Sequence, residues 1–378
     1  MSNNLTSLSM TRLADKAVVG PAIKQFFGRP FSIRQKNKVL VLYEKNSISF
    51  SQVYTFLVYA EDFRKRFDAQ FRFVASDDFM KGAAKHLEGA SQVLVQTWIF
   101  DPPEKVAKIV ERLRALPNNP RLVYLDSMAN SDLRIANQLT DFDLYYKKTI
   151  FTDHSEYFRK TYGHTTLSDY YGKYYNTPLD DTDWQVPKEM IPRLRVSPSF
   201  VTSPGLLDRF RKACPDFSAE HRDIDVHGRI GGTDKESWYG DLRRDGARLI
   251  DDLQGLSVTK GFGIPFNEFM AELERSKLCF SPFGYGEHCW RDIEAVCCGS
   301  VVLKQDASHL RTDPDLYVPY ETYVPLRWDM QDFEEKVREL LANDALREKI
   351  ARQAFEKAQN YILNAGPVEA YKDIFAET

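Results

Sequence analysis

The sequence has 378 residues, 43 % of them hydrophobic, and a formal net charge of −3. Its length and apolar content predict two globular domains with substantial cores, and the weak negative charge makes nucleic acid an unexpected partner. There is no apolar run long enough to span a membrane, and the first residues lack the apolar core of a signal peptide. The five cysteines show no repeated C-x2-C spacing, which favours reduced thiols in a cytoplasmic protein over a metal site.

Residues 1–35 are predicted to form an N-terminal helical arm. Apolar residues such as Leu13, Val18, Ile23 and Phe27 recur along it, as expected for a helix that packs on the body of the protein. A peripheral contact with the inner face of a membrane is the alternative for the same apolar positions.

Residues 36–176 are predicted to form a Rossmann-like domain in which strands and helices alternate. This alternation indicates a parallel, doubly wound sheet. The predicted strands are 38–43, 70–76, 91–98, 121–127 and 142–148, and the predicted helices are 49–67, 77–88, 102–116 and 130–138.

In a parallel sheet the ligand crevice lies beyond the carboxyl ends of the strands. Polar or aromatic residues at those ends are expected to bind an acceptor substrate, and the candidates are Ser47, Trp98, Ser127 and Lys148. Asp126 follows the fourth strand and is a candidate general base. The alternative is that these side chains only cap helices and shape turns.

The segment 151–196 interrupts the alternation, and residues 177–200 are expected to link the domains. The segment is rich in tyrosine, glycine, aspartate and proline. Tyrosine and tryptophan rings offer a flat apolar face with a polar edge, which suits stacking on sugar rings. An aromatic seam between the domains is the other interpretation.

A second Rossmann-like domain is predicted over residues 201–362. Its elements are a strand at 223–229, a helix at 236–253, a strand at 255–260, a helix at 266–277, a strand–helix–strand unit at 276–306, and helices at 329–343 and 345–362.

The strand–helix–strand unit at 276–306 is expected to hold the functional centre. Short apolar runs are predicted as its buried strands, and its helix is predicted to begin near Glu287 or His288 and to end by Gly299. Arg291 and Glu294 lie three residues apart and share one helix face. Glu287 lies two turns earlier and can share that face if the helix starts early.

The segment SPFGYGEHCWRDIEAVCCGSVVLKQD resembles the donor-binding core of GT-B glycosyltransferases of the exostosin-like and group 1 types. The shared features are Gly284, Gly286, Arg291, Glu294, Ala295, Gly299 and the strand 301–303. The retaining members carry two glutamates separated by seven residues, whereas six residues separate Glu287 from Glu294 here, and Gly286 occupies the matching position. The resemblance is clearest over residues 224–345, and it leaves the retaining or inverting outcome open.

The resemblance implies an α/β fold in which two Rossmann-like, doubly wound domains face a cleft. It also implies that the last residues, 363–378, form a helix that crosses back to the first domain. The glycine turn 226–232 is similar to the donor-facing turn of exostosin-like transferases. The implied donor-binding residues are Arg229, Arg243, Arg244, Tyr285, Gly286, Glu287, Arg291 and Glu294, and the candidate catalytic residues are Glu294, His288 and Asp126.

The implied function is transfer of a sugar from a nucleotide-sugar donor to a glycan, lipid-linked or other hydroxylated acceptor, in polysaccharide or glycoconjugate biosynthesis. The nucleotide sugar is then a substrate, and no cofactor is expected. No D-x-D motif follows a predicted strand, so arginines and a helix N-terminus are expected to replace a metal ion. A non-catalytic protein that binds nucleotides or glycans is the alternative, and the absence of G-x-G-x-x-G after the first strand argues against a dinucleotide-dependent oxidoreductase.

Overall fold

The computed structural model describes residues 30–45, 47–82, 89–98, 101, 103–116, 118–203, 205–212 and 214–376. The predicted N-terminal arm lies mostly outside these residues, as does the second half of the helix predicted at 77–88. Within the described part of the chain, no helix combines the length and the apolar character needed to cross a membrane.

The strands of the described residues are short and mostly buried. They are β1 (Asn37–Tyr43), β2 (Ala69–Ala75), β3 (Gln92–Val95), β4 (Arg121–Asp126), β5 (Leu144–Lys147), β6 (Thr149–Phe151), β7 (Thr161–Tyr162), β8 (Asp181–Thr182), β9 (Leu194–Val196), β10 (Ile224–His227), β11 (Val258–Thr259), β12 (Ser276–Phe280), β13 (Val301–Gln305), β14 (Leu310–Thr312) and β15 (Val324–Leu326).

The helices alternate with these strands in both halves of the chain. They are α1 (Ser47–Val58), α2 (Ala60–Phe67), α3 (Ser76–Met80), α4 (Pro103–Arg114), α5 (Thr166–Tyr174), α6 (Leu206–Lys212), α7 (Trp238–Asp252), α8 (Phe266–Glu274), α9 (Trp290–Cys298), α10 (Phe333–Leu341), α11 (Asp344–Leu363) and α12 (Gly366–Ala370).

Two separate parallel sheets form the centres of the two domains. The first has the strand order β2-β1-β3-β4-β5-β9, and the second has the order β11-β10-β12-β13-β15. Strand β12 shows why these sheets form: Leu278, Cys279 and Phe280 are all fully buried, as expected for a strand covered on both faces. The predicted α/β class with two Rossmann-like domains is confirmed.

Three local predictions differ from the structure. The long helix predicted at 49–67 is divided at Tyr59, whose φ of −101° and ψ of 19° leave the helical region. The helix predicted at 130–138 is only a 3₁₀ turn at Ala136–Gln138. The strand β9 lies inside the predicted linker 177–200 and pairs with β5 to complete the first sheet. The exact domain limits stay a prediction.

The C-terminal segment packs on the first domain. The Tyr371 ring is fully buried, with its centroid 4.5 Å from that of Phe56 and 4.9 Å from that of Tyr146. Phe375 stacks on Phe67 at 4.5 Å. These aromatic contacts connect the end of the chain to the core beneath the first sheet.

We expect Tyr371→Ala to lower the free energy of unfolding by about 3–5 kcal/mol, because removing a buried aromatic ring leaves a cavity. Tyr371→Phe keeps the ring and should lose much less. Urea unfolding of the two variants beside the wild type measures the difference. Equal stability of all three proteins would contradict the described docking of the C-terminal segment.

Candidate active site

Loops that follow the carboxyl ends of strands in the two sheets contact each other at a glycine. A Cβ atom on Gly286 would lie only 1.9 Å from the carbonyl oxygen of Ala129. Gly286 belongs to the loop after β12, and Ala129 to the loop after β4. The contact between the two loops therefore requires a residue without a side chain at position 286.

Glu287 continues this contact between the domains. Its Oε2 accepts hydrogen bonds from the backbone nitrogen of Ser131 at 3.2 Å and from the Ser131 hydroxyl at 3.1 Å. Its Oε1 is buried and has no hydrogen-bond partner among the described residues. Burial, assisted by nearby Asp132, raises the pKa of Glu287 to about 7.

The position of Glu287 corrects the predicted start of the core helix. Helix α9 begins at Trp290, with Cys289 as its N-cap. Glu287 therefore lies in the preceding loop and turns toward the first domain, so it does not share a helix face with Glu294.

A buried network around Asp292 fixes the start of α9, and the sequence analysis missed it. The Cys289 backbone nitrogen donates to Asp292 Oδ2 at 3.0 Å, and the hydroxyls of Ser281 and Tyr317 each donate to the carboxylate at 2.5 Å. Lys304 Nζ lies 3.2 Å from Asp292. Burial alone would raise the pKa of Asp292, but Lys304 and His288 outweigh it and lower that pKa.

Two arginines meet near this helix start without a carboxylate partner. Arg243 on α7 is buried, and its Nε donates to the carbonyl of Gly231 at 2.8 Å while one terminal nitrogen donates to that of Pro282 at 3.3 Å. The buried Nε of Arg291 has no hydrogen-bond partner in the part of the chain that the structure describes. Burial and the nearby charge of Arg291 lower the pKa of Arg243 to about 10. Among the described residues, neither arginine forms a salt bridge.

The other two predicted phosphate-binding arginines have different surroundings. Both nitrogens of the Arg229 fork donate to Glu272 at 2.6 Å, so its bidentate capacity is already used. Arg244 is exposed and bonds to Asp241 and to the carbonyls of Thr233 and Lys235. Adjacent helical residues point in different directions, so only Arg243 of the pair turns inward.

Glu294 and Tyr285 are two further residues predicted to bind the donor. The Glu294 side chain is buried within α9, among apolar neighbours on the same helix. Tyr285 is 58 % exposed, and its ring stacks on that of Tyr239 with centroids 4.0 Å apart. The loop after β12 therefore carries an exposed aromatic ring beside α7 and α9, the helices that carry Arg243 and Arg291.

The structure does not support Asp126 as a free general base. Its carboxylate lies 2.7 Å from Lys147 Nζ and accepts hydrogen bonds from the Tyr145 hydroxyl at 2.6 Å and from the Met128 backbone nitrogen at 2.8 Å. All of these groups are buried. Three buried donors from the first domain therefore already occupy the Asp126 carboxylate.

The remaining acceptor candidates differ in their surroundings. The Ser127 hydroxyl is buried, and it bonds to Ser49 at 3.1 Å and to the Thr97 carbonyl at 3.3 Å, inside the first domain. The side chain of Trp98 is half-buried next to this edge of the sheet. Ser47 is the first residue of α1, but its side chain lies outside the described part of the structure.

Lys148 and His288 both contact the ring of Phe200. The sequence analysis did not single out Phe200. Lys148 Nζ lies 4.4 Å from the Phe200 centroid, and the His288 ring stacks on Phe200 at 4.9 Å. Burial lowers the pKa of Lys148 to about 7 and that of His288 to about 3. Lys148 Nζ and His288 Nε2 are both buried, and no described residue forms a hydrogen bond with either nitrogen.

The hydrogen bonds around His288 indicate which of its nitrogens is free. The Tyr317 hydroxyl donates to Asp292, so its oxygen can accept from His288 Nδ1, 2.5 Å away. The neutral ring then carries its proton on Nδ1, and Nε2 is an acceptor without a donor. The second domain thus carries the arginine pair Arg243 and Arg291. The buried nitrogens of Lys148 and His288 lie where the two domains meet.

The sequence of the second domain matches a known family. Residues 208–370 match the family described as Glycosyl transferase-like. A search of curated protein sequences gave no match.

Several solved structures resemble the whole chain. An alpha-glucosyltransferase in complex with UDP has 10 % identity and a TM-score of 0.52, covering 90 % of this chain and 99 % of that chain. An alpha-glucosyltransferase with UDP and a 13-mer DNA containing a HMU base has the same identity and TM-score, covering 91 % and 100 %. A glycosyltransferase from Rickettsia africae has 9 % identity and a TM-score of 0.49, covering 91 % and 100 %.

The family match and the fold agree with the resemblance predicted from the loop and helix at 281–306. The predicted GT-B fold is confirmed. The second domain matches the glycosyl transferase-like family, and the chain as a whole has the GT-B glycosyltransferase fold.

Proposed function

We propose that the chain transfers a sugar from a nucleoside diphosphate sugar to a hydroxyl of a glycan, lipid-linked or other acceptor, in polysaccharide or glycoconjugate biosynthesis. The reaction needs no metal ion in this proposal, because arginines stabilise the charge of the leaving diphosphate. The five cysteines are all free thiols, which suits a reducing compartment, so we place the reaction in the cytoplasm.

The observation that carries this proposal is the pair Arg243 and Arg291. Two cations near each other, with Arg243 buried and neither paired with a carboxylate of the described residues, raise each other's free energy. A diphosphate supplies the missing negative charge, and planar guanidinium groups can bind its oxygens in pairs. The N-terminus of α9 contributes further partial positive charge at the same place.

The remaining donor groups suit the other parts of a nucleotide sugar. Glu294 accepts hydrogen bonds from hydroxyls of the sugar or the ribose, and the exposed ring of Tyr285 stacks on the base. Gly286 keeps the loop against the first domain. Two of the similar structures were solved with UDP, which makes UDP the first nucleotide to test.

The acceptor hydroxyl reaches the donor at the domain contact. His288 Nε2 accepts a hydrogen bond from it, and Lys148 stabilises negative charge there when protonated. Glu287 Oε1 is an unfilled acceptor, and a carboxyl with a pKa of about 7 suits proton transfer near neutral pH. We do not assign this role to Asp126, because its carboxylate already lies 2.7 Å from Lys147 Nζ inside the first domain.

We expect Arg291→Gln to weaken nucleoside diphosphate binding by about 1.5–3 kcal/mol, the usual contribution of a hydrogen bond to a charged group. The unliganded variant should be at least as stable as the wild type, because one of two repelling charges is gone. A melting screen with UDP, GDP, ADP, CMP and dTDP selects the nucleotide, and calorimetry measures its affinity.

Arg244→Gln is the matched control, since it removes the same charge from the exposed position next to Arg243. Its nucleotide affinity should equal that of the wild type. The proposal is wrong if no nucleotide in the screen binds, or if Arg291→Gln and Arg244→Gln bind equally well.

Glu294→Gln tests the enzymatic reaction itself. The wild type should slowly hydrolyse the sugar nucleotide of the selected base without an acceptor, and it should do so equally in EDTA. The amide keeps the shape of the side chain but drops its charge, so turnover should fall by roughly tenfold or more while the melting temperature barely moves. Full turnover in the folded variant would remove Glu294 from the donor site, and no hydrolysis by the wild type would favour a binding protein.

Glu287→Gln tests the unusual proton affinity of Glu287. The folded state keeps this proton up to a pKa of about 7, whereas an exposed glutamate loses it near about 4.3. Ionisation of the buried carboxyl opposes folding, so its stabilising contribution is complete below about pH 4 and is lost as the pH rises through about 7. The free energy of unfolding of the variant, relative to the wild type, should therefore increase between pH 5 and pH 8. The same difference at both values would contradict the buried, protonated state.

A further inference from the structure

One face of helix α5 presents aromatic rings to solvent. Tyr170 and Tyr174 are 36 % and 43 % exposed, and their rings lie parallel, with centroids 6.1 Å apart and planes 9° apart. The edge of Trp328 meets Tyr170 at 5.0 Å. We call these three residues the aromatic platform. Contiguous exposed rings on a folded surface are typical of a binding site.

The platform forms part of a surface pocket of about 540 Å³ with charged groups at its rim. Asp169 lies 2.9 Å from Arg159 and 2.8 Å from Lys173, and Arg159 also lies 2.5 Å from Glu156. Arg159, Asp169 and Lys173 line the pocket, and Glu156 lies outside the lining but pairs with Arg159, so the charges of this cluster balance. The pocket therefore offers flat apolar faces beside fixed hydrogen-bonding groups without net charge, which suits a neutral ligand rich in hydroxyls.

The opposite face of α5 connects the platform to the donor loop. The Tyr171 hydroxyl donates to the Trp328 carbonyl at 2.8 Å and accepts from Gln305 at 3.1 Å. The Gln305 side-chain oxygen in turn accepts from the Phe283 backbone nitrogen at 2.9 Å. Two buried side chains, Tyr171 and Gln305, thus link the platform to the loop that carries Tyr285 and Gly286.

We propose that this pocket binds neutral sugar units of a saccharide acceptor that lie beyond the reacting hydroxyl, an inference that rests on the proposed glycosyl transfer. A pyranose ring has an apolar face of C–H groups and an edge of hydroxyls, and these match the platform and its charged rim. The pocket lies outside the donor side, so it selects the length and type of acceptor without affecting nucleotide binding.

The test compares Tyr170→Ala/Tyr174→Ala with Tyr170→Phe/Tyr174→Phe in the full chain. Both tyrosines are exposed, so the alanine variant should fold, and its melting temperature verifies this. Maltohexaose, cellohexaose and chitohexaose serve as probes, without nucleotide, in saturation-transfer NMR and calorimetry. At least one hexasaccharide should bind the wild type, and the alanine variant should bind it at least about tenfold more weakly.

The phenylalanine variant keeps both rings and should retain most of the affinity, and the selected nucleotide should raise the melting temperature of all three proteins equally. Absence of binding by every hexasaccharide at millimolar concentration, or equal binding by the alanine variant, would overturn the inference. Because glycan binding is measured without nucleotide, its failure is distinguishable from a failure of the proposed nucleotide-dependent reaction.

Discussion

The candidate site is built around two like charges, those of Arg243 and Arg291. Arg243 and Arg291 carry like charges, Arg243 is buried, and the groups that contact Arg243 are backbone carbonyls. Such an arrangement is unfavourable in the unliganded protein, and a well-packed fold tolerates it only where the surroundings are held rigidly. The Asp292 network supplies that rigidity, because it connects the loop after β12, the start of α9 and the end of β13 through one buried carboxylate.

The contact at Gly286 explains how this chain departs from the two-glutamate pattern of retaining relatives. The position that matches the first glutamate lies so close to the Ala129 carbonyl that even a methyl group does not fit. A carboxylate is nevertheless present one residue later, as Glu287, and it contacts the first domain through Ser131. The carboxylate one residue later therefore lies at the contact between the domains.

Much of the fold could be predicted from the sequence because its strands are short apolar runs separated by amphipathic helices, and this pattern is local. The inward position of Arg243, by contrast with Arg244, depends on the rotation of α7 in the packed domain. The partners of Arg229 and Asp126 are distant in sequence, Glu272 and Lys147 respectively. The role of Phe200 depends on contacts with residues from both domains, and no sequence motif marks such a position.

The central claim is that Arg243 and Arg291 together form a diphosphate site. A crystal structure of the chain with the nucleoside diphosphate that stabilises it most tests this claim most directly. We expect phosphate oxygens within about 2.7–3.2 Å of both guanidinium groups, at the N-terminus of α9. Diphosphate bound elsewhere, with both arginines contacting only the protein, would contradict it.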